Sequence, residues 1–251
     1  MSKLNERWIV VQHGLLTRVS DNLLTLNAYR RLPFGDSTER TSVVQLAGRR
    51  LLICNPIALR EEEMRKLEAL GEPRYLLVPS EEHEAHALAW KARFPRAIVI
   101  APARVIPRLG VELEARGPLD LEDTRVRLLE VLGTGERELA VLVESSEGKS
   151  LIVNEVMYNL PRARGLRGTL MRLLGYGPGA ILPKVVRAKL VQDRTALRGQ
   201  LEAWAHLLDL KRVVMSHGEA LENPRNVLLQ LAASFAGTGS ASEDLARTLL
   251  V

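Results

Sequence analysis

Three of the five histidines in this sequence follow apolar segments that are typical of buried strands. His83 and His86 come shortly after residues 75–78, and His217 comes directly after residues 212–216. In open α/β sheets the carboxyl ends of the strands form the edge at which ligands bind. Imidazole nitrogens combined with carboxylate oxygens suit zinc, manganese or iron. We therefore predict His83, His86 and His217 as metal ligands.

Two carboxylates lie within reach of these histidines. Glu81 and Glu82 directly precede His83. A spacing of three residues at a helix start would put His83 and His86 on the same face. A solvated polar helix start would have the same sequence, so both interpretations stay open. The only cysteine is Cys54, which excludes a cysteine-based zinc cluster.

The elements that must position these residues show a change of hydrophobic period along the chain. Period-two and short apolar segments predict strands, and segments of period 3.6 predict helices. Pro33 and Gly35 predict a loop at 31–36. The predicted strands are 8–11, 23–26, 42–46, 51–54, 75–78, 97–101, 125–131, 139–145, 150–154 and 212–215, and the predicted helices are 59–70, 84–93, 197–208 and 224–235. This order indicates a layered α/β protein built from two similar halves.

The order of the histidine motifs resembles that of the metallo-β-lactamase superfamily. That family has an H-x-H-x-D-H motif after a strand, and the aligned residues here are Glu-Glu-His-Glu-Ala-His at 81–86. His83 and His86 match the second and third histidines. Glu81 replaces the first histidine, and Ala85 replaces the aspartate that would bind a second metal.

Later motifs of the family are matched in the same order. Residues 94–101 resemble its F-P-x-A-x-V-x-A strand, and Gly-Thr-Gly at 133–135 replaces its G-H-T turn. Asn154, or Glu155 one residue on, aligns with the bridging aspartate, and residues 216–218 resemble the last G-H-G. A little-characterised branch with V-x-P-N-x-x-H-H and a following Trp is also similar, at 77–84 and Trp90.

The resemblance implies an αββα sandwich, with two mixed sheets flanked by helices. We expect one domain over residues 1–251, with a Gly/Arg-rich insertion at about 160–190. A two-metal hydrolase needs more ligands than this sequence retains. The changes at Ala85 and Asn154 remove the carboxylates of the second metal and of the bridge. The prediction is a degenerate site that holds at most one zinc, manganese or iron ion, or none.

Two functions fit such a site. The first is a hydrolase-like enzyme in which metal-activated water attacks an ester, thioester, lactone or phosphoester. The second is a non-catalytic binding or scaffold protein that holds an anionic ligand or partner in the old cleft. Sequence alone does not decide between an enzyme and a binding protein, because fold does not set function.

A basic segment lies between the last two motifs. Residues 156–192 contain no acidic side chain, and we predict that Arg162, Arg164 and Arg167 contact an anionic small molecule or a membrane surface. An ordinary Arg-rich surface is the alternative. The net charge is +5, but aromatic residues make up only 4%, which disfavours nucleic-acid binding. No segment resembles a signal peptide or a membrane span, so the predicted location is cytoplasmic.

Overall fold

The first half of the chain forms a six-stranded mixed sheet. The computed structural model describes residues 7–32, 35–161, 165–173, 175–177 and 179–236. Strands β1 to β4 pair antiparallel, and β4, β5 and β6 pair parallel. The elements are β1 (Thr17–Ser20), β2 (Leu23–Leu32), β3 (Gly35–Leu46), β4 (Arg50–Cys54), α1 (Glu61–Leu70), β5 (Glu72–Leu77), α2 (Ala87–Arg93) and β6 (Ile98–Ile100). Helices α1 and α2 connect the parallel strands, as such crossovers require.

The second half forms a five-stranded sheet in the order β13-β12-β9-β8-β7, in which β12 lies parallel to β9. A separate two-stranded sheet pairs β10 with β11. The elements are β7 (Val126–Glu130), β8 (Leu139–Ser145), β9 (Gly148–Val153), β10 (Tyr158–Leu160), α3 (Gly165–Leu173), β11 (Gly179–Ile181), α4 (Lys184–Leu190), α5 (Arg194–Ala205), β12 (Leu210–Met215), β13 (Leu221–Glu222) and α6 (Arg225–Ala233).

Side chains that alternate between the two faces of each strand pack the two sheets and the helices into four layers. Leu52 of β4 faces Val141 and Ile152 in a core between the two sheets. Its neighbours Leu51 and Ile53 point the other way, into a core that contains residues of α1 and α2. A third core joins the opposite face of the second sheet to α5 and α6. Because successive side chains of a strand point to opposite faces, each apolar strand fills two cores. The predicted αββα sandwich is confirmed.

Two local predictions were wrong. The predicted loop at 31–36 is largely strand, because β2 and β3 form one long hairpin whose ladder extends to the pair Leu32 and Gly35. Pro33 and Phe34 lie outside the described residues. Residues 8–11 form no strand. Instead, Trp8 donates its indole N–H to the carbonyl of Leu59 at 2.8 Å and packs on Trp90.

In the basic segment the structure adds β10, β11 and α4, which the sequence patterns did not predict. The helices of the described ranges are all too short to span a lipid bilayer.

We expect Trp90→Ala to lower the free energy of unfolding by about 3–5 kcal/mol, because it opens a cavity in the core beside α1 and α2. The Trp90 side chain is fully buried, and its indole N–H donates to the Ile57 carbonyl at 3.0 Å. Urea denaturation would measure the change. Leu208→Ala is the control: this leucine is 80% exposed, so its loss should change stability by less than about 0.5 kcal/mol. Equal effects of both substitutions would contradict the core assignment.

Candidate metal centre

Three side chains from the ends of three strands meet at one edge of the sandwich. His83 lies in the loop after β5, Glu155 follows β9, and His217 follows β12. One ligand atom from each lies within 4.8 Å of the other two. Glu155 Oε1 is 2.9 Å from His83 Nε2 and 3.4 Å from His217 Nε2. The two histidines therefore converge on a single carboxylate oxygen.

The other ring nitrogen of each histidine is held by β3. His83 Nδ1 is 2.9 Å from Glu39 Oε1, and His217 Nδ1 is 3.0 Å from the backbone carbonyl of Thr38. A carbonyl only accepts, so His217 Nδ1 must carry a proton. Such contacts to a carboxylate or carbonyl are typical of metal-binding histidines, since they fix the ring and direct Nε2 to the ion.

Short turns place the two histidines. Ser80 organises the loop after β5, because its Oγ accepts the Glu82 N–H and its carbonyl accepts the His83 N–H. After β12, Gly218 has φ of +91°, a conformation that favours glycine. A Cβ at Gly218 would lie 1.9 Å from the carbonyl oxygen of Asn159. This close approach lets the β10 backbone pack against the loop that carries His217.

The three groups are electrostatically coupled. Burial opposes a charge on His83, but hydrogen bonds to Glu155 and Glu39 raise its pKa to about 10. Burial also opposes a charge on Glu155, yet His217 and His83 hold its pKa well below its ordinary value. Both shifts favour a proton shared between the His83 imidazole and the Glu155 carboxylate. A metal ion and this proton would compete for the same atoms.

Two tyrosines line the same edge. The Tyr158 hydroxyl donates to Glu155 Oε2, and its ring stacks on His217 with 4.6 Å between centroids and 9° between planes. Burial and the charge of Glu155 raise the pKa of Tyr158 well above its ordinary value, so it remains a donor. The rings of Tyr176 and Tyr158 pack in a T-shaped arrangement, with 5.9 Å between their centroids. These rings wall one side of the site.

Of the two residues predicted at the bridging position, Glu155 and not Asn154 meets the histidines. Asn154 Oδ1 accepts the Ser216 hydroxyl at 2.6 Å, and its Nδ2 donates to the Leu139 carbonyl at 3.1 Å. Both polar atoms of Asn154 are thus used in holding the ends of β8, β9 and β12 together. The charged donor is one residue farther along.

Glu81 and His86 lie apart from the three convergent groups. Glu81 is 2.8 Å from Arg108 and 2.9 Å from Lys189, so its oxygens belong to a cluster of ion pairs. His86 is buried but not within the ligand group found among the described residues. Helix α2 begins only at Ala87, so His83 and His86 do not share a helical turn.

The structure does not describe the side chains of the three predicted anion-binding arginines. Arg162 and Arg164 lie outside the described residues, and Arg167 belongs to α3 but its side chain is not described. Lys189 of the same segment is an ion-pair partner of Glu81 and Glu82, the two residues before His83.

Three residues at or beside the site were not predicted from the sequence. Glu39 lies 44 residues from His83, in a hairpin of which only part was predicted. Tyr158 stands three residues after Glu155, a spacing that offered a weak signal. Glu138 is fully buried beside the site, where burial and the charge of Glu155 raise its pKa to about 8. A single glutamate before a strand carries no signal of burial.

Comparison with known proteins defines the fold. The sequence matches no protein-family model and no curated protein. Among solved structures, DIM-1 metallo-β-lactamase exposed to ceftazidime is 14% identical, with a TM-score of 0.59 over 90% of this chain and 99% of that one. FIM-1 metallo-β-lactamase from Pseudomonas aeruginosa, in its mono-zinc form, is 12% identical, with a TM-score of 0.57 over 92% and 98%.

A mutant flavo di-iron protein from Thermotoga maritima is also similar, at 11% identity and a TM-score of 0.56 over 90% of this chain and 62% of that one. This chain has the metallo-β-lactamase fold. The identities are low, so the likeness concerns the fold.

We expect Gly218→Ala to lower the free energy of unfolding by about 1–3 kcal/mol, because the new Cβ would clash with the Asn159 carbonyl in a strained conformation. Gly199→Ala is the matched control. Gly199 lies within α5 with nothing within 4 Å of its missing Cβ. There, alanine should raise stability by about 0.5–1 kcal/mol through helix propensity. Chemical denaturation would measure both, and a neutral Gly218→Ala would argue against the close packing behind His217.

Proposed function

We propose that this protein is a hydrolase-like metalloprotein that binds one divalent ion at His83, Glu155 and His217. Bound water would attack an ester, thioester, lactone or phosphoester. One observation carries the proposal: both Nε2 atoms converge on Glu155 Oε1, while the Nδ1 atoms are held by Glu39 and Thr38.

The donor set fits a single ion. Two imidazole nitrogens and one carboxylate oxygen form a three-ligand set that leaves a fourth position for water. Few ligand atoms are left for a second ion. Ala85 has no donor atom, Asn154 is held by Ser216 and Leu139, and Glu81 is ion-paired. Zinc and iron are the first ions to test, since the structurally similar proteins include a mono-zinc and a di-iron protein.

When bound, the ion would supply Lewis acidity and a water of lowered pKa. The protein residues supply orientation. Tyr158 keeps its proton on the phenol oxygen and fixes Glu155 Oε2, which leaves Oε1 for the ion. Glu39 and the Thr38 carbonyl keep the imidazoles from turning. The position of Ala85 offers no base that could accept a proton from the attacking water.

Purified protein should hold about one equivalent of zinc, manganese or iron by elemental analysis. His83→Ala should lose this ion, because it removes one of three ligands. His206→Ala should keep it, since this exposed histidine lies at the end of α5, with its Nδ1 bonded to the Glu202 carbonyl, and is not in the ligand group. Two tightly held equivalents in the unaltered protein, or an unchanged content in His83→Ala, would refute the one-ion site.

We further expect measurable hydrolysis of at least one of four probes: p-nitrophenyl acetate, an acyl thioester, a γ-lactone and bis-p-nitrophenyl phosphate. His217→Ala should abolish this turnover, whereas His206→Ala should leave kcat/KM unchanged. Turnover that persists in His217→Ala would place the reaction elsewhere. Metal binding with no turnover of any probe would favour the non-catalytic binding protein.

A further inference from the structure

A buried carboxyl group lies behind the proposed metal ligands and has no role in the site so far. Glu138 is fully buried just before β8. Its Oε1 accepts the backbone N–H of Asn154 at 2.9 Å. Asn154 directly precedes Glu155. Glu138 therefore holds the backbone next to the central carboxylate.

The surroundings of Glu138 link both strand ends that carry the site. The next residue, Leu139, donates its N–H to the Pro79 carbonyl at 3.0 Å, in the loop that leads to His83. The Leu139 carbonyl accepts Asn154 Nδ2 at 3.1 Å, in the segment that leads to Glu155. Residues 138 and 139 thus join the loop of the first sheet to the loop of the second.

Burial of this carboxyl is energetically costly. Glu138 Oε2 is buried and meets no donor within the described part of the chain, and no ion pair of Glu138 occurs there. A buried acid without a cation costs more than an apolar residue of similar size. Its compensation is the hydrogen bond from the Asn154 amide, because β9 ends at Val153 and the ladder no longer satisfies the N–H groups that follow.

We propose that Glu138 is a positioning residue for Glu155. By holding the amide of Asn154, its carboxyl fixes the backbone at Glu155 and keeps Oε1 between His83 and His217. Glu138 does not join the ion itself, since the ligand group among the described residues contains only His83, Glu155 and His217. The inference rests on the proposed metal site.

Metal binding by the full-length protein tests this role. Zinc affinity would be measured by competition with a chromophoric chelator, and the geometry by the visible absorption of the cobalt(II) form. Glu138→Gln keeps an oxygen acceptor for the Asn154 amide and should bind zinc within about threefold of the unaltered protein. Glu138→Leu removes the acceptor at similar volume. It should weaken binding about 10–100-fold, the usual effect of losing an outer-sphere partner, and should change the cobalt spectrum.

Leu142→Ala, a core substitution in β8, is the control for a general loss of stability. This variant should unfold more easily but bind zinc with unaltered affinity. If Glu138→Leu does not fold, Glu138→Asp replaces it: withdrawal of the carboxyl by one methylene should weaken zinc binding by more than about threefold.

A folded Glu138→Leu or Glu138→Asp with unaltered affinity and spectrum would overturn the role of Glu138 alone. An unaltered protein that binds neither zinc nor cobalt would overturn the proposed function, and this inference with it.

Discussion

The contact of Glu155 with His83 and His217 is the interaction on which the site depends. It places a carboxylate and two imidazoles at the end of a hydrophobic sandwich, where burial penalises every charge. These three groups can be buried because their opposite charges compensate one another. In addition, Glu39, Thr38 and Tyr158 form hydrogen bonds with the ring nitrogens and the carboxylate oxygen that face away from the contact. Since His83 belongs to the first sheet and the other two groups to the second, the contact also needs the core between the sheets to fix their spacing.

The chemistry follows from what surrounds this contact. A fold that is shared with mono-zinc and di-iron proteins has here one convergent set of three donors among the described residues. Three other polar residues near it have structural contacts. Asn154 ties strand ends together, Glu81 lies among cations, and Glu138 Oε1 accepts the Asn154 N–H. Such an arrangement suits one ion with an open position better than two ions that share a bridge.

The basic segment contributes to the site in a way that its charge did not suggest. It supplies Tyr158 and Tyr176, whose rings lie at the edge of the candidate metal centre. Lys189, in the same segment, forms ion pairs with the carboxylates of Glu81 and Glu82. These pairs join α4 to the loop of His83. The roles of Arg162, Arg164 and Arg167 stay predictions.

The sequence by itself indicated a layered α/β protein of two similar halves, because strand and helix periods are local properties of the apolar pattern. The resemblance of its motifs to the metallo-β-lactamase superfamily implied the αββα sandwich. The sequence also singled out His83 and His217, since each follows a buried strand. Only the tertiary structure decided between Asn154 and Glu155 and separated His86 and Glu81 from the site. It alone brought in Glu39 and Glu138. The physical reason is that ligand geometry depends on where a chain turns after its strand ends and on contacts between residues far apart in sequence, and neither leaves a periodic signal.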